Sequence, residues 1–341
     1  MAALISRILF ATDFSSCADR AFEYAVSLAR GWKAELSAMT VLEFYPGMDP
    51  DYPVNKMYLD NLRSESVRQL EGIRAKAAAA GQALSTRLEL GIPSQAIQTT
   101  AEQIGADLLV VGTHGRTGLN HVLVGSTAER VVRVSPCPVL SVKADNKQGQ
   151  GGITRVVVPI DLSTCSLDAL EYAVAFAKGL GASVTVLHAM EPVAYGLDFS
   201  LSHAKEWKRQ REYLEERLKV LTALLVTQGL QADYVLKPGL PADAIAEYVK
   251  QQAFDLMIMG THGRRGLSHL LADGENAEVR AESRTGGSSW GAAVRLTEGV
   301  SHEAHTKEAG NITVGRAARR KVRYRDGRIA GRVMGTDLAE G

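Results

Sequence analysis

Phe10-Ala11-Thr12-Asp13-Phe14-Ser15 and Val158-Pro159-Ile160-Asp161-Leu162-Ser163 carry one pattern twice: a short apolar run that ends in an aspartate and a serine. Such a run reads as a buried strand leading into the start of a helix. The two stretches lie 148 residues apart, and the same offset recurs along the chain without a gap. It carries Cys17 onto Cys165 and Glu23-Tyr24-Ala25-Val26 onto Glu171-Tyr172-Ala173-Val174. It also carries Gly91-Ile92-Pro93 onto Gly239-Leu240-Pro241, and Gly112-Thr113-His114-Gly115-Arg116 onto Gly260-Thr261-His262-Gly263-Arg264. A unit of about 145 residues has the size of an ordinary domain, so the chain is a tandem repeat of one fold.

Inside each copy, strand-length apolar runs alternate with helical patterns. Ile5 to Ala11, Leu36 to Leu42, Thr86 to Leu90 and Asp107 to Val111 read as strands of the first copy, with Arg155 to Ile160, Ser183 to Ala189, Tyr234 to Lys237 and Asp255 to Met259 in the second. Between them, Ala18 to Gly31 and Leu167 to Gly179 read as helices ending at glycine, Asn61 to Gly81 and Trp207 to Gly229 as long helices, and Pro93 to Ile104 and Pro241 to Gln252 as helices opened by proline. The first copy adds a helix, Ser126 to Val134, and a fifth strand, Pro138 to Val142. Alternating strands and helices predict two tandem doubly wound, mostly parallel-sheet α/β domains of Rossmann-like type. Ligands of such folds sit beyond the carboxyl ends of the strands, where the strand order reverses. Residues 1–143 are expected to form the first domain, 144–153 a polar, glycine-rich linker, and 154–281 the second domain.

Composition narrows the class further. The chain is 45% hydrophobic and 23% charged, with a formal net charge of +1, so no global field draws it to nucleic acid or to a membrane. Apolar runs such as Leu108 to Val111 fall far short of the roughly 20 residues of a membrane span. Met1 to Phe10 has Arg7 inside a strand-like pattern and no secretory core, which makes the cytoplasm the expected compartment. Cys17, Cys137 and Cys165 form no Cys-x-x-Cys pair and are expected to be reduced thiols, and no His/Cys cluster predicts a metal site.

The chemistry is expected after the fourth strand of the first copy. Val111-Gly112-Thr113-His114-Gly115 is followed, after nine residues, by Gly125-Ser126-Thr127. Two glycines three apart let the backbone turn tightly and bring its N–H groups near an anion. A glycine and two hydroxyls at a helix start place unpaired N–H donors and the positive end of the dipole where phosphate binds. The plainer readings are turn punctuation for the glycines, a helix cap for Ser126 and Thr127, another helix cap for Asp13, and ordinary solvated side chains for His114 and Arg116.

This combination, together with Cys137-Pro138-Val139-Leu140 at the fifth strand, resembles the ATP-binding signature of the universal stress protein family. The opening Ala11-Thr12-Asp13-Phe14-Ser15 and Ile160-Asp161-Leu162-Ser163 are similar to that family's first strand. The resemblance implies ATP or another adenine nucleotide as ligand, with a divalent cation such as Mg2+ as an option. It would place Ala11, Thr12 and Asp13 near the nucleoside, Val41 against adenine, Gly112, His114, Gly115 and Arg116 along ribose and phosphates, and Gly125, Ser126 and Thr127 on the phosphate tail. In the second copy the corresponding positions are Pro159, Ile160, Asp161, Ala189, Gly260, His262, Gly263 and Arg264. There the offset puts Asp273-Gly274 where Gly125-Ser126 stand, and a one-residue shift puts Gly274-Glu275 there instead. Either alignment removes the serine and adds an acidic residue that repels phosphate, so the second site is expected to be degenerate.

The fifth strand also fades. Cys137 to Val142 maps onto Thr285-Gly286-Gly287-Ser288-Ser289-Trp290, which is no buried strand by pattern, so the second domain is expected to lack it and to be incomplete. Residues 282–341 read as a low-complexity, disordered tail, with eight basic residues and one acidic residue between Arg316 and Arg332. A nucleic-acid or anion-binding tail and a translated frame error at the end of a truncated domain are both open readings of it. No nucleophile–base constellation accompanies the motif. Three functions follow: regulation by ATP occupancy in a stress response, slow ATP hydrolysis, and a nucleotide-independent scaffold. A homodimer or an intramolecular pairing of the two domains is expected; nucleic acid and membrane partners are not.

Overall fold

In the computed structural model the described residues are 4–43, 52–113, 126–142, 152–191, 201–260 and 292–296. The first copy runs β1 (Arg7–Ala11), α1 (Ser16–Trp32), β2 (Glu35–Glu43), α2 (Pro53–Ala79), β3 (Leu84–Gly91), α3 (Pro93–Ile104), β4 (Leu108–Gly112), α4 (Ser126–Val134) and β5 (Val139–Val142). The second runs β6 (Arg155–Pro159), α5 (Thr164–Leu180), β7 (Ser183–Met190), α6 (Leu201–Thr227), β8 (Ala232–Pro238), α7 (Pro241–Gln251) and β9 (Leu256–Gly260), followed by β10 (Ala292–Leu296). The repeat read from the sequence is a repeat of structure.

Strand order is β3-β2-β1-β4-β5 in the first copy and β8-β7-β6-β9-β10 in the second, each parallel throughout. The two halves join through β5 and β10, which pair antiparallel with Val142 opposite Ala292 and Val139 opposite Arg295, giving one ten-stranded sheet. β10 fills the fifth-strand position beside β9. It starts five residues beyond the offset from β5, where the glycine- and serine-rich 285–290 stretch gives way to Ala292-Ala293-Val294-Arg295-Leu296. A fixed offset cannot show a strand displaced by an insertion, and this pairing corrects the expectation that the second domain lacks a fifth strand.

Alternate residues of each strand serve opposite faces. In the first copy Ile8, Phe10, Leu36, Ala38, Leu108, Val110, Leu140 and Val142 lie in a cluster with α1 and α2, while Leu9, Ala11, Met39, Leu109, Val111 and Val139 lie in a second cluster with α3 and α4. The first cluster continues without a break into the second copy through Val156, Val158, Val184, Val186, Leu256 and Ile258 beneath α5. On the opposite face the second copy keeps a separate cluster of Val157, Leu187, Met257, Val249 and Phe254.

Two boundaries differ from the sequence expectation. Helices α1 and α5 do not stop at Gly31 and Gly179 but run one residue further, with Lys33 (φ 53°) and Gly181 (φ 69°) as left-handed caps. Asp107 and Asp255 lie just outside the fourth strands. Asp107 Oδ2 accepts from the Ser6 and Arg7 N–H groups at 2.9 and 3.0 Å, and Asp255 Oδ2 from Thr154 and Arg155 at the same distances. Each aspartate thus pins the start of the first strand of its own copy to the start of the fourth.

Candidate functional site

The strand order of the first copy reverses between β1 and β4, and the residues that end these strands converge there. In register, Ala11 faces Val111 of β4 on one side and Met39 of β2 on the other, so Val41 lies two residues further along β2 at the same edge. The Thr12 N–H donates to the Met39 carbonyl at 2.9 Å, extending the ladder one step past β1. Thr12 is buried and Asp13 half-buried.

The β1–α1 loop then turns sharply. Phe14 takes a left-handed φ of 63°, a conformation strained for a bulky residue, and its N–H donates to Thr12 Oγ1 at 2.9 Å. Ser15 is the N-cap of α1, its Oγ accepting from the Ala18 N–H at 3.3 Å. Asp13 is not the cap. Its Oδ1 accepts from the Ser15 N–H at 3.1 Å and from Ser15 Oγ at 2.7 Å, bracing the residue that caps the helix. The second copy repeats the device: Leu162 has φ 63°, Ser163 caps α5 through the Ser166 N–H, and Asp161 Oδ1 accepts from Ser163 N–H and Oγ. The sequence showed the repeated aspartate and serine; that the aspartate acts through the serine needed the loop geometry.

Gly112 and Gly260 carry a structural demand of their own. A Cβ on Gly112 would stand 3.0 Å from the Cys17 carbonyl carbon and Cβ and 3.1 Å from the Ala18 nitrogen. On Gly260 it would stand 2.6 Å from Cys165 Sγ and 2.9 Å from the Cys165 carbonyl oxygen. These glycines let the first turn of α1 or α5 press against the end of the fourth strand, which holds the helix start beside the edge where the strands end. Thr113 is buried next to Gly112, and its N–H donates to the Val142 carbonyl at 2.9 Å.

Helix α4 begins at Ser126. Ala128, Val131 and Val132 are buried in the cluster that holds Leu9, Ala11, Val111 and Val139, leaving Ser126 and Thr127 exposed in the first turn. Glu129 pairs with Arg133 at 2.8 Å along the helix. His114, Gly115, Arg116 and Gly125, with His262, Gly263 and Arg264 of the second copy, lie outside the described residues, so the structure brings together Ala11, Thr12, Asp13, Val41 and Gly112 at one edge and sets Ser126 and Thr127 at a helix start.

At the corresponding edge of the second copy stand Pro159, Ile160, Asp161, Ala189 and Gly260. The Ile160 N–H donates to the Leu187 carbonyl at 2.8 Å, as Thr12 does to Met39. One residue there escaped the sequence reading: His188 takes the place of Thr40, and its Nδ1 lies 2.8 Å from the Ile160 carbonyl oxygen. A carbonyl can only accept, so Nδ1 carries the proton. Alignment of the two copies at the 148 offset would have exposed the substitution.

Among the described residues no group of three His, Cys, Asp or Glu side chains is arranged to hold a metal ion, and no helix is long and apolar enough to cross a membrane. Cys17, Cys137 and Cys165 are buried, and none of them is in a disulfide among the described residues.

Fold and edge together define a tandem α/β protein of the doubly wound type, with repeated strand ends at two switch points. The chain belongs to the universal stress protein family, whose model matches residues 5–143 and again 152–279. It is 34% identical over 146 residues to Universal stress protein MJ0531 of Methanocaldococcus jannaschii, covering 42% of this chain and 86% of that protein. It is 31% identical over 148 residues to Universal stress protein YxiE of Bacillus subtilis, covering 41% of this chain and all of that protein. These relatives correspond to one copy of the repeat. The crystal structure of a universal stress protein from Archaeoglobus fulgidus spans both copies: 85% of this chain and 96% of that one superpose with a TM-score of 0.63 at 19% identity, a likeness of fold.

Proposed function

We propose that the first domain binds ATP at the carboxyl edge of β1, β2 and β4, and that occupancy of this site, rather than turnover, is what the protein contributes to a stress response. The observation that carries the reading is the convergence of Ala11, Thr12, Asp13, Val41 and Gly112 at the β1/β4 switch point, where doubly wound folds take their ligands. Val41 supplies an apolar contact for the base. The start of α4 supplies unpaired N–H groups for phosphate, with the Ser126 and Thr127 hydroxyls exposed beside them. His114, Gly115, Arg116 and Gly125 complete the phosphate loop, and Mg2+ accompanies the phosphates where a cation is needed. The second site keeps Pro159, Ile160, Asp161, Ala189, Gly260, His262, Gly263 and Arg264 but has lost the serine of the phosphate loop, so it binds nucleotide more weakly. The compartment we assign is the cytoplasm, where buried reduced thiols persist.

Calorimetric titration of the whole chain with ATP and Mg2+ tests this reading. Saturable binding to the wild type, abolished in a folded Gly125→Val/Ser126→Ala variant, supports it: valine blocks the backbone's approach to phosphate, and alanine removes a hydrogen bond worth about 0.5–1.5 kcal/mol. Unchanged affinity in that variant refutes the site. Hydrolysis at the enzyme median of about 10 per second refutes the regulatory reading.

A further inference from the structure

The two long helices α2 and α6 align residue for residue at the 148 offset, Pro53 with Leu201 and Ala79 with Thr227, yet their solvent faces differ. On α6 the residues Tyr213, Arg217, Val220 and Leu224 follow one another at helical spacing and share one face. Tyr213 is 58% exposed and Val220 and Leu224 53% each, while Leu214, Leu218 and Leu225 hold the buried face. The matching positions on α2 are Glu65, Gln69, Gly72 and Lys76. Glu65 accepts from both Arg68 and Gln69, and Lys76 pairs with Asp19 of α1 at 3.4 Å. In the second copy that ion pair has become Leu224 and Leu167, the latter 38% exposed in the first turn of α5. A charged face in one repeat is thus an apolar stripe in the other, on a helix whose own core contacts are already made.

We infer that this α6 face is a contact between two copies of the chain, packed antiparallel about a two-fold axis between Glu216 and Arg217. Three observations favour a second copy as the occupant. The stripe complements itself at its centre: antiparallel packing about that axis lays Tyr213 against Val220 of the second copy and, one turn along, sets Leu224 over the aliphatic stem of the exposed Arg209. Charge agrees, because the same axis sets Glu216 beside Arg217 of the second copy, twice over; Arg217 is already oriented by a 2.7 Å hydrogen bond from its Nη1 to Tyr213 Oη. And the fifth-strand edges are not available for joining chains, since β5 and β10 pair with each other inside one chain. Tyr213, Val220 and Leu224 are few beside the roughly 20–30 residues a side of a standard stable interface, so the dimer is weak and depends on concentration. None of this depends on the nucleotide reading.

Sedimentation equilibrium of the intact chain, from low micromolar to several hundred micromolar, tests the contact. The wild type is expected to shift from monomer to dimer over that range. Tyr213→Glu with Leu224→Lys, which installs the residues of α2, is expected to weaken association about tenfold or more, as loss of a central aromatic anchor does. Glu216→Arg and Arg217→Glu should each weaken it, and the two together should restore it. All four positions are exposed, so circular dichroism should report unchanged folding. A wild type that stays monomeric overturns the inference and leaves the stripe to another protein. A dimer indifferent to these substitutions overturns it too, as does a charge swap that fails to restore what its single changes removed.

Discussion

The Trp32 indole of α1 lies across Gly179 of α5, so close that a Cβ on Gly179 would come within 2.1 Å of the ring. The reciprocal pair, Leu180 against Gly31, sits at an ordinary 3.7 Å. Since Gly31 and Trp32 occupy the repeat positions of Gly179 and Leu180, one contact is made twice, once with an indole and once with an isobutyl group. Trp32 also lies 6.2 Å, centroid to centroid, from Phe176. The two copies therefore join at a helix crossing as well as along β5 and β10.

Gly179→Ala should destabilise the chain by about 1–3 kcal/mol, the usual cost of forcing volume into a packed contact. Trp32→Leu should cost far less and should rescue Gly179→Ala, because it rebuilds the Leu180–Gly31 geometry on the other side. Urea unfolding of both single variants and the double closes the cycle. Strictly additive losses would show that the two residues do not meet.

The switch-point glycines should respond differently to their neighbours. Gly112→Ala and Gly260→Ala should each destabilise by about 1–3 kcal/mol. The closest neighbours of Gly112 are the backbone and Cβ of Cys17, so Cys17→Ala should not relieve the first. The closest neighbour of Gly260 is Cys165 Sγ, so Cys165→Ala should relieve part of the second, and only part, since the carbonyl oxygen at 2.9 Å remains. Melting temperatures of the four variants decide it; equal rescue in both copies would contradict the distances.

Much of this architecture was legible because duplication doubles every signal. Asp13 and Asp161, Gly112 and Gly260, and the proline-opened helices α3 and α7 could each be checked against a second occurrence. What the sequence hid has physical reasons. Gly31 and Gly179 look like helix stops, yet they sit inside helices, because a residue without a Cβ serves close packing as well as it serves a cap. Asp107 reads as the first residue of a strand, since nothing local reveals that its carboxylate reaches the Ser6 and Arg7 amides a hundred positions away. β10 was missed because register in the second copy is broken by extra residues between the fourth and fifth strands, and periodicity carries no count of insertions.

Asp13→Asn should separate bracing from ligand binding. The asparagine carbonyl can still accept from the Ser15 N–H and Oγ, so thermal stability should stay close to wild type, whereas Asp13→Ala should lose about 1 kcal/mol with the brace. If the carboxylate also meets the bound nucleoside, as the proposed site has it, Asp13→Asn should still weaken ATP affinity about tenfold, the scale of one hydrogen bond to a charged group. Asparagine that restores affinity as fully as stability would confine Asp13 to the loop.

Tyr172 of α5 offers the pH test. Its ring is partly accessible, but its hydroxyl is buried and has no hydrogen-bond partner among the described residues. Burial, reinforced by Cys137 and Asp107 nearby, pushes the phenol well above its ordinary range near pH 10. In the folded chain the phenol stays neutral where the unfolded chain would ionise it. Stability tied to this group is therefore fully present below about pH 10 and falls as pH rises beyond that point. Phenylalanine has no proton to lose and leaves no polar atom stranded. Tyr172→Phe should accordingly be neutral or stabilising by about 1 kcal/mol at neutral pH, and its advantage over wild type should widen above pH 10. Paired melting curves from pH 7 to about pH 11 provide the measurement. A clear loss of stability at neutral pH would mean that the hydroxyl is satisfied, and parallel curves through the alkaline range would mean that it reaches solvent and titrates as it does in the unfolded chain.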